Sequence, residues 1–217
     1  MSFRAVIFDL DGTLLDTLED LADSVNRTLA ANGFPTHPVD AYRYFVGDGS
    51  KMLITRALPP EHNHPETVTK CFEAFRNDYR QYWKVKTKPF EGIPEMLQQL
   101  TELGVKMAIL SNKPHEFTRQ CVAELLTLWS FEPILGQRET VPLKPDPTGA
   151  LEIVRQLDRP SSDFLYLGDS AVDMQTATAA GIFPVGACWG FRTASELQES
   201  GAKVLIEKPT QLIDLML

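Results

Sequence analysis

Short apolar runs alternate with segments of helical periodicity along most of the chain. Runs that are rich in β-branched and large aliphatic residues predict buried strands at residues 3–8, 105–110, 163–167, 182–187 and 203–206. Apolar residues spaced three and four apart predict helices at residues 93–103, 116–128, 148–157, 171–180 and 194–200. Strands that alternate with helices favour right-handed crossovers and a parallel sheet covered on both faces. The pattern therefore predicts an α/β fold built on a doubly wound, Rossmann-like parallel sheet.

The alternation is interrupted from about residue 17 to residue 83, where only helical patterns occur. Helices are predicted in this segment at residues 18–32, 39–44, 50–58 and 65–82. The aromatic residues that recur at helical spacing, and are expected to form its core, are Phe72, Phe75, Tyr79 and Tyr82. We therefore predict a small all-helical cap domain at residues 16–87, inserted into a core domain of residues 1–15 and 88–217.

Composition and charge narrow the class of protein. A hydrophobic fraction of 43% and a charged fraction of 23% are typical of a globular protein with a core of its own. The net charge of −8, without a dense Lys/Arg run, argues against nucleic acid as a partner. No apolar stretch approaches the roughly 20 residues that span a bilayer, so no membrane partner is predicted. Three widely spaced cysteines in apolar contexts predict reduced thiols and a cytoplasmic location.

Two aspartates, Asp9 and Asp11, directly follow the first predicted strand in the sequence Asp-Leu-Asp-Gly-Thr. Carboxylates at positions i and i+2 of a glycine-containing turn can face one small volume, where one acts as a nucleophile and the other transfers a proton. The alternative is an Asx-type turn in which both side chains only accept backbone hydrogen bonds. The position of the motif at the end of a strand favours the chemical interpretation.

A second pair of aspartates, Asp169 and Asp173, follows the strand predicted at residues 163–167. Ligands of parallel sheets bind outside the carboxyl ends of the strands, so Asp169 is expected to lie close to Asp9. Carboxylates gathered in this way repel one another unless a hard cation lies among them, and oxygen ligands of this kind suit Mg2+. The sequence therefore predicts a Mg2+ site. For Asp173 alone, a solvated residue in the first turn of a helix fits equally well.

Further candidates for contacting a phosphate group are Lys144, Ser111 and Asn112. Lys144 lies in an extended loop beside Pro145, where a fixed cation would neutralise a nucleophilic carboxylate and its acyl phosphate. An ordinary surface lysine fits the same pattern. Ser111 and Asn112 follow the strand predicted at residues 105–110, which places them at the same edge of the sheet. For Ser111, a turn or helix-capping residue is the alternative.

Together these motifs resemble the haloacid dehalogenase-like superfamily, in particular its phosphoglycolate phosphatase-like branch. The motifs at residues 9–16, 111–113, 144–145 and 168–173 match the family in order and spacing over essentially the whole chain. The helical insert resembles the cap of that branch, and residues 45–49 resemble the loop by which such caps reach the active site. Trp189 and Gly190 are also similar to this branch. Asp16, just before the first helix of the insert, is expected to cap that helix.

The resemblance implies a role for each matching residue. Asp9 would attack phosphorus, while Asp11 would protonate the leaving oxygen and then activate water, with Lys144 as the third catalytic residue. The residues implied to contact the substrate are Ser111, Asn112, Thr13 and Gly47. The residues implied to hold Mg2+ are Asp9, Asp11 through its backbone carbonyl, Asp169, and Asp173 nearby.

The expected activity is hydrolysis of a small phosphorylated metabolite, with 2-phosphoglycolate first by resemblance. A sugar-phosphate mutase, a pyrophosphatase and a nucleotide phosphatase remain open on the same motifs. A non-catalytic binding module is disfavoured, because it would be expected to lose at least one of Asp9, Asp11, Lys144 and Asp169, and all are present. A monomer and a homodimer are both compatible with the sequence.

Overall fold

The computed structural model describes residues 3–216, which form two compact units. One unit runs to Leu15 and resumes at Pro89, and the other is Asp16–Lys88. The strands are β1 (Ala5–Phe8), β2 (Leu15–Asp16), β3 (Lys88–Pro89), β4 (Lys106–Pro114), β5 (Ile134–Gln137), β6 (Phe164–Gly168), β7 (Phe183–Ala187) and β8 (Val204–Ile206). The helices are α1 (Leu18–Ala31), α2 (Tyr42–Phe45), α3 (Ser50–Ala57), α4 (Pro65–Tyr82), α5 (Ile93–Glu102), α6 (His115–Leu125), α7 (Thr148–Gln156), α8 (Ala171–Ala179) and α9 (Ala194–Glu199). Short 3-10 turns occupy Val39–Ala41, Pro60–His62, Ser161–Asp163 and Pro209–Leu215.

The larger unit contains a six-stranded parallel sheet in the order β5-β4-β1-β6-β7-β8, with helices on both faces. Strand β1 is paired with β4 on one side and with β6 on the other, so the strand order reverses there. Phe8, the last residue of β1, is level with Ile109 and Leu167 in these neighbours. Residues that follow β1 and β6, together with the last residues of β4, therefore meet at one edge of the sheet, beside the switch point where α/β proteins bind ligands.

The core of this unit explains why the strands form where they do. All four residues of β1 are fully buried, as expected of a central parallel strand covered on both faces. On one face Ile7 packs with Phe164, Tyr166 and Ile153 in a continuous apolar cluster. Full burial of each large side chain contributes roughly 1.5–3 kcal/mol, so this cluster anchors the edge that carries the polar motifs.

The predicted α/β class, the parallel sheet and the five strands are confirmed, with two differences. Strand β5 was not predicted, because its four residues include one glycine and one glutamine and carry little apolar signal. Strand β4 continues past Leu110 to Pro114, and its register against β5 shifts between these two residues. The prediction that the strand ends before Ser111 is therefore wrong, since residues 111–113 belong to the irregular end of β4.

The smaller unit consists of α1–α4, and α1 packs against α4. The buried face of α4 comprises Val68, Cys71, Phe75 and Tyr79. The expectation that Phe72 and Tyr82 belong to this core is wrong, since Phe72 is half-buried and Tyr82 is 45% exposed. Phe75 and Tyr79 are buried as predicted, and the guanidinium of Arg27 covers the Tyr82 ring at 4.7 Å.

A buried carboxylate closes the two ends of the smaller unit. Asp20, in the first turn of α1, accepts hydrogen bonds from the backbone amides of Lys86 and Thr87 and from the Thr87 hydroxyl, at 2.7–3.1 Å. The predicted capping role of Asp16 is wrong, because α1 begins at Leu18 with Thr17 as its N-cap, and Asp16 belongs to β2.

Within residues 3–216, no helix is both long enough and apolar enough to cross a membrane. The cysteines are free thiols, as predicted, with Cys71 and Cys121 buried and Cys188 half-buried.

Candidate active site

The aspartates predicted at the carboxyl edge of the sheet lie together. Asp9 directly follows β1 and donates its backbone amide to the carbonyl of Leu167 in β6, at 3.0 Å. Asp169 directly follows β6 on the neighbouring strand, and Asp173 lies in the first turn of α8. One carboxylate oxygen from each of Asp9, Asp169 and Asp173 lies within 4.8 Å of the others, and all three residues are buried.

Lys144 is the cation at the centre of this cluster. Its ammonium lies 2.8 Å from Oδ1 of Asp9 and 2.6 Å from Oδ1 of Asp173, and its side chain is only 4% exposed. Burial alone would lower the pKa of Lys144, but Asp173 and Asp9 outweigh that cost and hold the pKa well above its ordinary value. Lys144 is therefore a permanently charged link between Asp9 and Asp173, and the surface-lysine alternative does not apply.

The cluster carries more negative charge than Lys144 neutralises. Burial raises the pKa of Asp9 to about 7; Lys144 opposes this shift and the Asp173 carboxylate adds to it. Burial also raises the pKa of Asp169 to about 8, again with Asp173 and Asp9 adding to the shift. With all three carboxylates ionised, one ammonium would leave two negative charges in a buried site, and the raised pKa values of Asp9 and Asp169 reflect burial together with that repulsion. One divalent cation with oxygen ligands matches that excess in charge and in chemistry, so the residues fit a Mg2+ site.

Two glycines make room for the Asp169 carboxylate. A Cβ at Gly12 would lie within 2.9 Å of three atoms of that carboxylate group, and Gly12 also has a φ of +88°. A Cβ at Gly190 would lie only 2.2 Å from Cβ of Asp169. Any side chain at either position would displace Asp169, so both glycines are required by close approach.

Hydrogen bonds fix the orientation of Asp169. The Thr13 hydroxyl donates to Oδ1 at 3.1 Å, and the backbone amide of Phe191 donates to Oδ2 at 2.7 Å. Thr13 is fully buried, and its carbonyl accepts a hydrogen bond from the indole Nε1 of Trp189 at 3.0 Å. Thr13 thus supports Asp169 in this structure, and its predicted contact with substrate stays a prediction.

Asp173 is fully buried, which removes the alternative of a solvated helix residue. Its Oδ2 accepts hydrogen bonds from the amide and the hydroxyl of Ser170 in a capping box, while its Oδ1 contacts Lys144. Both oxygens therefore have protein partners. This geometry favours a role in orienting Lys144, and the predicted contact of Asp173 with a metal stays a prediction.

Asn112 is buried and clamps the backbone of Lys144. Its Oδ1 accepts from the Lys144 amide at 2.9 Å, and its Nδ2 donates to the Lys144 carbonyl at 3.1 Å. Ser111 is also buried, and its hydroxyl accepts from the amide of Lys113 at 3.3 Å. Both residues lie at the predicted edge of the sheet, and their contact with a phosphate group stays a prediction.

Asp11 is paired with a second lysine. The ammonium of Lys113, at the end of β4, lies 3.0 Å and 3.1 Å from the two carboxylate oxygens of Asp11. Gly47 belongs to the other compact unit, between α2 and α3, with a φ of +120°. Its predicted contact with substrate stays a prediction.

Sequence reasoning assigned no role to three residues that shape this site: Lys113, Ser170 and Trp189. Lys113 and Ser170 lie inside the motifs at residues 111–113 and 168–173, so the sequence could have identified both as candidate site residues. The bond from Trp189 to the carbonyl of Thr13 spans 176 positions, and no pattern in a single sequence predicts it.

Comparison with known proteins places the chain in a family. The sequence pattern of the haloacid dehalogenase-like hydrolase family matches residues 6–187. A curated phosphoglycolate phosphatase from Pseudomonas savastanoi pv. phaseolicola is 33% identical over 214 residues, covering 97% of this chain and 78% of that protein. A phosphoglycolate phosphatase from Psychrobacter arcticus is 29% identical over an alignment that covers 100% of this chain and 97% of the relative.

A solved structure shares the whole architecture. The crystal structure of a proposed phosphoglycolate phosphatase from Lactobacillus delbrueckii subsp. bulgaricus matches with a TM-score of 0.94 and 32% identity, covering 100% of this chain and 99% of that chain. The family pattern covers most of the sequence, and the relatives align over nearly all of it. The chain belongs to the haloacid dehalogenase-like hydrolases, within their phosphoglycolate phosphatase-like branch of phosphatases.

Proposed function

We propose that this chain is a Mg2+-dependent phosphomonoesterase that hydrolyses a small phosphorylated metabolite, 2-phosphoglycolate, through a phosphoryl group carried on Asp9. The substrate assignment is supported by the relatives from Pseudomonas and Psychrobacter, which are phosphoglycolate phosphatases by name. We also propose that the protein works in the cytoplasm, in keeping with its free thiols.

One observation carries the proposal: the buried Lys144 ammonium bridges Asp9 and Asp173 at the carboxyl edge of the sheet. A carboxylate held by a fixed cation is a preorganised nucleophile, and the same cation can neutralise charge on a transferring phosphoryl group. A purely structural ion pair would need only one carboxylate. Asp169 adds a third buried carboxylate to this cluster, which favours a bound cation.

In the first step, a carboxylate oxygen of Asp9 attacks phosphorus and the bond from phosphorus to the leaving oxygen breaks. Asp11, two residues further along the same turn, gives its proton to the leaving oxygen, so the product departs with a neutral hydroxyl group rather than as an alkoxide. Lys144 stays beside the phosphoryl oxygens and balances their charge. The result is an acyl phosphate on Asp9.

In the second step, a water molecule attacks phosphorus while the Asp11 carboxylate takes its proton. The bond from Asp9 to phosphorus breaks, which releases inorganic phosphate and restores both aspartates to their starting protonation states. Asn112 keeps Lys144 in place through both steps by its two hydrogen bonds to the backbone.

We assign the Mg2+ site to the carboxylates of Asp9 and Asp169 and the backbone carbonyl of Asp11, with Asp173 beside them. A divalent cation bound there supplies positive charge to the phosphoryl oxygens. Hydrogen bonds from Thr13 and Phe191 hold the Asp169 carboxylate ready for this contact. We further propose that the substrate contacts are made by Ser111, Asn112, Thr13 and Gly47.

The proposal is tested by measuring release of inorganic phosphate from a panel of small phosphate esters, ranked by kcat/KM. We expect 2-phosphoglycolate to rank first, EDTA to abolish turnover and added Mg2+ to restore it. Activity that is indifferent to EDTA would contradict the metal assignment. Ranking of a sugar phosphate, a nucleotide or pyrophosphate above 2-phosphoglycolate would contradict the substrate assignment alone.

A further inference from the structure

Two buried lysines lie at the carboxyl edge of the sheet, and each is paired with a different aspartate of the first motif. Lys144 contacts Asp9, the proposed nucleophile, while Lys113 contacts Asp11, the proposed proton donor to the leaving oxygen. We propose that Lys113 is a specificity-determining residue that binds a carboxylate carried by the leaving group. This inference rests on the proposed function and assigns its substrate selectivity to a named side chain of the larger unit.

The ammonium of Lys113 is fixed in place. It lies 3.0 Å from Oδ1 and 3.1 Å from Oδ2 of Asp11, and its side chain is only 4% exposed. The Lys113 carbonyl accepts a hydrogen bond from the Thr118 hydroxyl at 3.1 Å, and its amide donates to Ser111 Oγ at 3.3 Å. The ring of Phe117 flanks the ammonium at 5.5 Å. A cation held from several sides can recognise an anion without first losing side-chain entropy.

The role proposed for Asp11 places Lys113 close to the leaving oxygen of the substrate. An aspartate that hands a proton to the leaving oxygen must have a carboxyl oxygen within hydrogen-bond distance of it. The Lys113 ammonium contacts both oxygens of the Asp11 carboxyl group, so only that carboxyl group separates the ammonium from the leaving oxygen. Lys144 is engaged with Asp9 and Asp173 on the phosphoryl side. The two lysines thus serve opposite ends of the bond that breaks.

Charge complementarity identifies the class of leaving group. A buried ammonium is stable only beside negative charge, and Asp11 supplies none while it carries the proton for the leaving oxygen. An anion from the substrate is then strongly favoured over a neutral group in the same place. In 2-phosphoglycolate the carboxylate is attached to the carbon that bears the ester oxygen, so it enters the site beside Asp11. A phosphate ester with an α-carboxylate in its leaving group therefore suits Lys113, whereas a simple alkyl ester brings no negative charge to the ammonium.

The test compares two esters that differ in the carboxylate, 2-phosphoglycolate and ethyl phosphate, across four proteins: wild type, Lys113→Met, Lys113→Arg and Lys106→Met. Lys106 is an exposed lysine at the opposite end of the same strand and serves as the matched control. We expect Lys113→Met to lower kcat/KM for both esters, but by at least about tenfold more for 2-phosphoglycolate, because removal of one partner of a desolvated charge pair is costly. Lys113→Arg should recover part of the preference, and Lys106→Met should leave both values unchanged.

An equal loss on both esters in Lys113→Met would overturn the inference, since a residue that only positions Asp11 affects every substrate alike. The proposed function would stand in that case, because wild type still hydrolyses both esters. The inhibition constant of glycolate gives a second readout that does not depend on chemistry, and it should rise in Lys113→Met by a similar factor. If wild type hydrolyses neither ester, the proposed function and the inference fail together.

Discussion

Hydrogen bonds to backbone groups decide where the charged atoms of the site lie. Asn112 accepts a hydrogen bond from the amide of Lys144 and donates one to its carbonyl. That pair of bonds holds the whole residue, and thereby aims the ammonium at Asp9 and Asp173. The position of the cation is therefore set by a neutral amide side chain.

Replacement of Asn112 by alanine is expected to lower kcat by about 10- to 100-fold, because a misplacement of about 1 Å in a catalytic group can have an effect of that size. Two lost buried hydrogen bonds should also lower the free energy of unfolding by roughly 1–3 kcal/mol. Urea denaturation and steady-state kinetics check the two effects. Asn63→Ala, which removes an exposed amide bonded to a single carbonyl, should leave kcat unchanged. An unchanged kcat in Asn112→Ala would show that Lys144 does not need this support.

Trp189 supports the proposed Mg2+ site indirectly, through Thr13. Its indole donates to the carbonyl of Thr13, whose hydroxyl in turn donates to Asp169. Trp189→Phe should lower the free energy of unfolding by about 1 kcal/mol and raise the Mg2+ concentration for half-maximal activity severalfold. Trp129→Phe is the matched control, because the Nε1 of Trp129 is buried without a hydrogen-bond partner among the described residues. The same Mg2+ dependence in both variants would contradict this role.

The first turn of α8 contributes both to the start of the helix and to the candidate active site. Ser170 caps this helix by a reciprocal pair of bonds with Asp173, and the same Asp173 carboxylate holds Lys144. The start of the helix and Lys144, the proposed catalytic lysine, are therefore coupled through one side chain. An isolated cap of equal quality elsewhere would stabilise its helix without this second effect.

Ser170→Ala is expected to cost about 1 kcal/mol of stability through the lost cap, and to lower kcat as well because Asp173 loses its anchor. Thr193→Ala removes the N-cap of α9, in which the Thr193 hydroxyl accepts a hydrogen bond from the Glu196 amide at 3.3 Å. That control should lose stability to a similar or smaller extent and keep its full kcat. Thermal unfolding and kinetics on the two variants separate the effects, and an unchanged kcat in Ser170→Ala would disprove the coupling.

The elements that sequence predicts well are those whose signal is local. Strands β1 and β6 are continuous apolar runs that end at aspartates, so both the strands and the meeting of Asp9 with Asp169 were predictable. Strand β5 escaped prediction because it has few apolar residues and is defined by its pairing with β4. The roles of Asn112 and Trp189 depend on backbone groups far away in sequence, which no periodicity encodes.

At the scale of the whole molecule, the chain is organised as two units with separate cores, of which the smaller is continuous in sequence. Its two ends are joined at Asp20, whose buried carboxylate accepts from the amides of Lys86 and Thr87. This single residue closes a loop of more than sixty positions. Closure of this kind is expected to determine whether residues 16–88 stay folded.

Asp20→Ala should lower the free energy of unfolding by about 2–4 kcal/mol, because it leaves the buried Thr87 amide and the partly buried Lys86 amide without their charged acceptor. Hydrogen exchange should accelerate mainly within residues 16–88. Asp23→Ala is the control: Asp23 forms a partly exposed ion pair with Lys86, and such pairs contribute about 1 kcal/mol or less. Equal losses in the two variants would mean that the buried carboxylate does not close the unit.

The central claim is that Asp9 carries the phosphoryl group, and rapid quenching in acid tests it most directly. The protein is mixed with 2-phosphoglycolate and Mg2+, quenched within the first turnover, digested and mapped by mass spectrometry. The account predicts one added phosphoryl group on the peptide that contains Asp9, and neither this adduct nor turnover in Asp9→Asn. Turnover at the wild-type rate in Asp9→Asn, or a phosphoryl group on another residue, would contradict it.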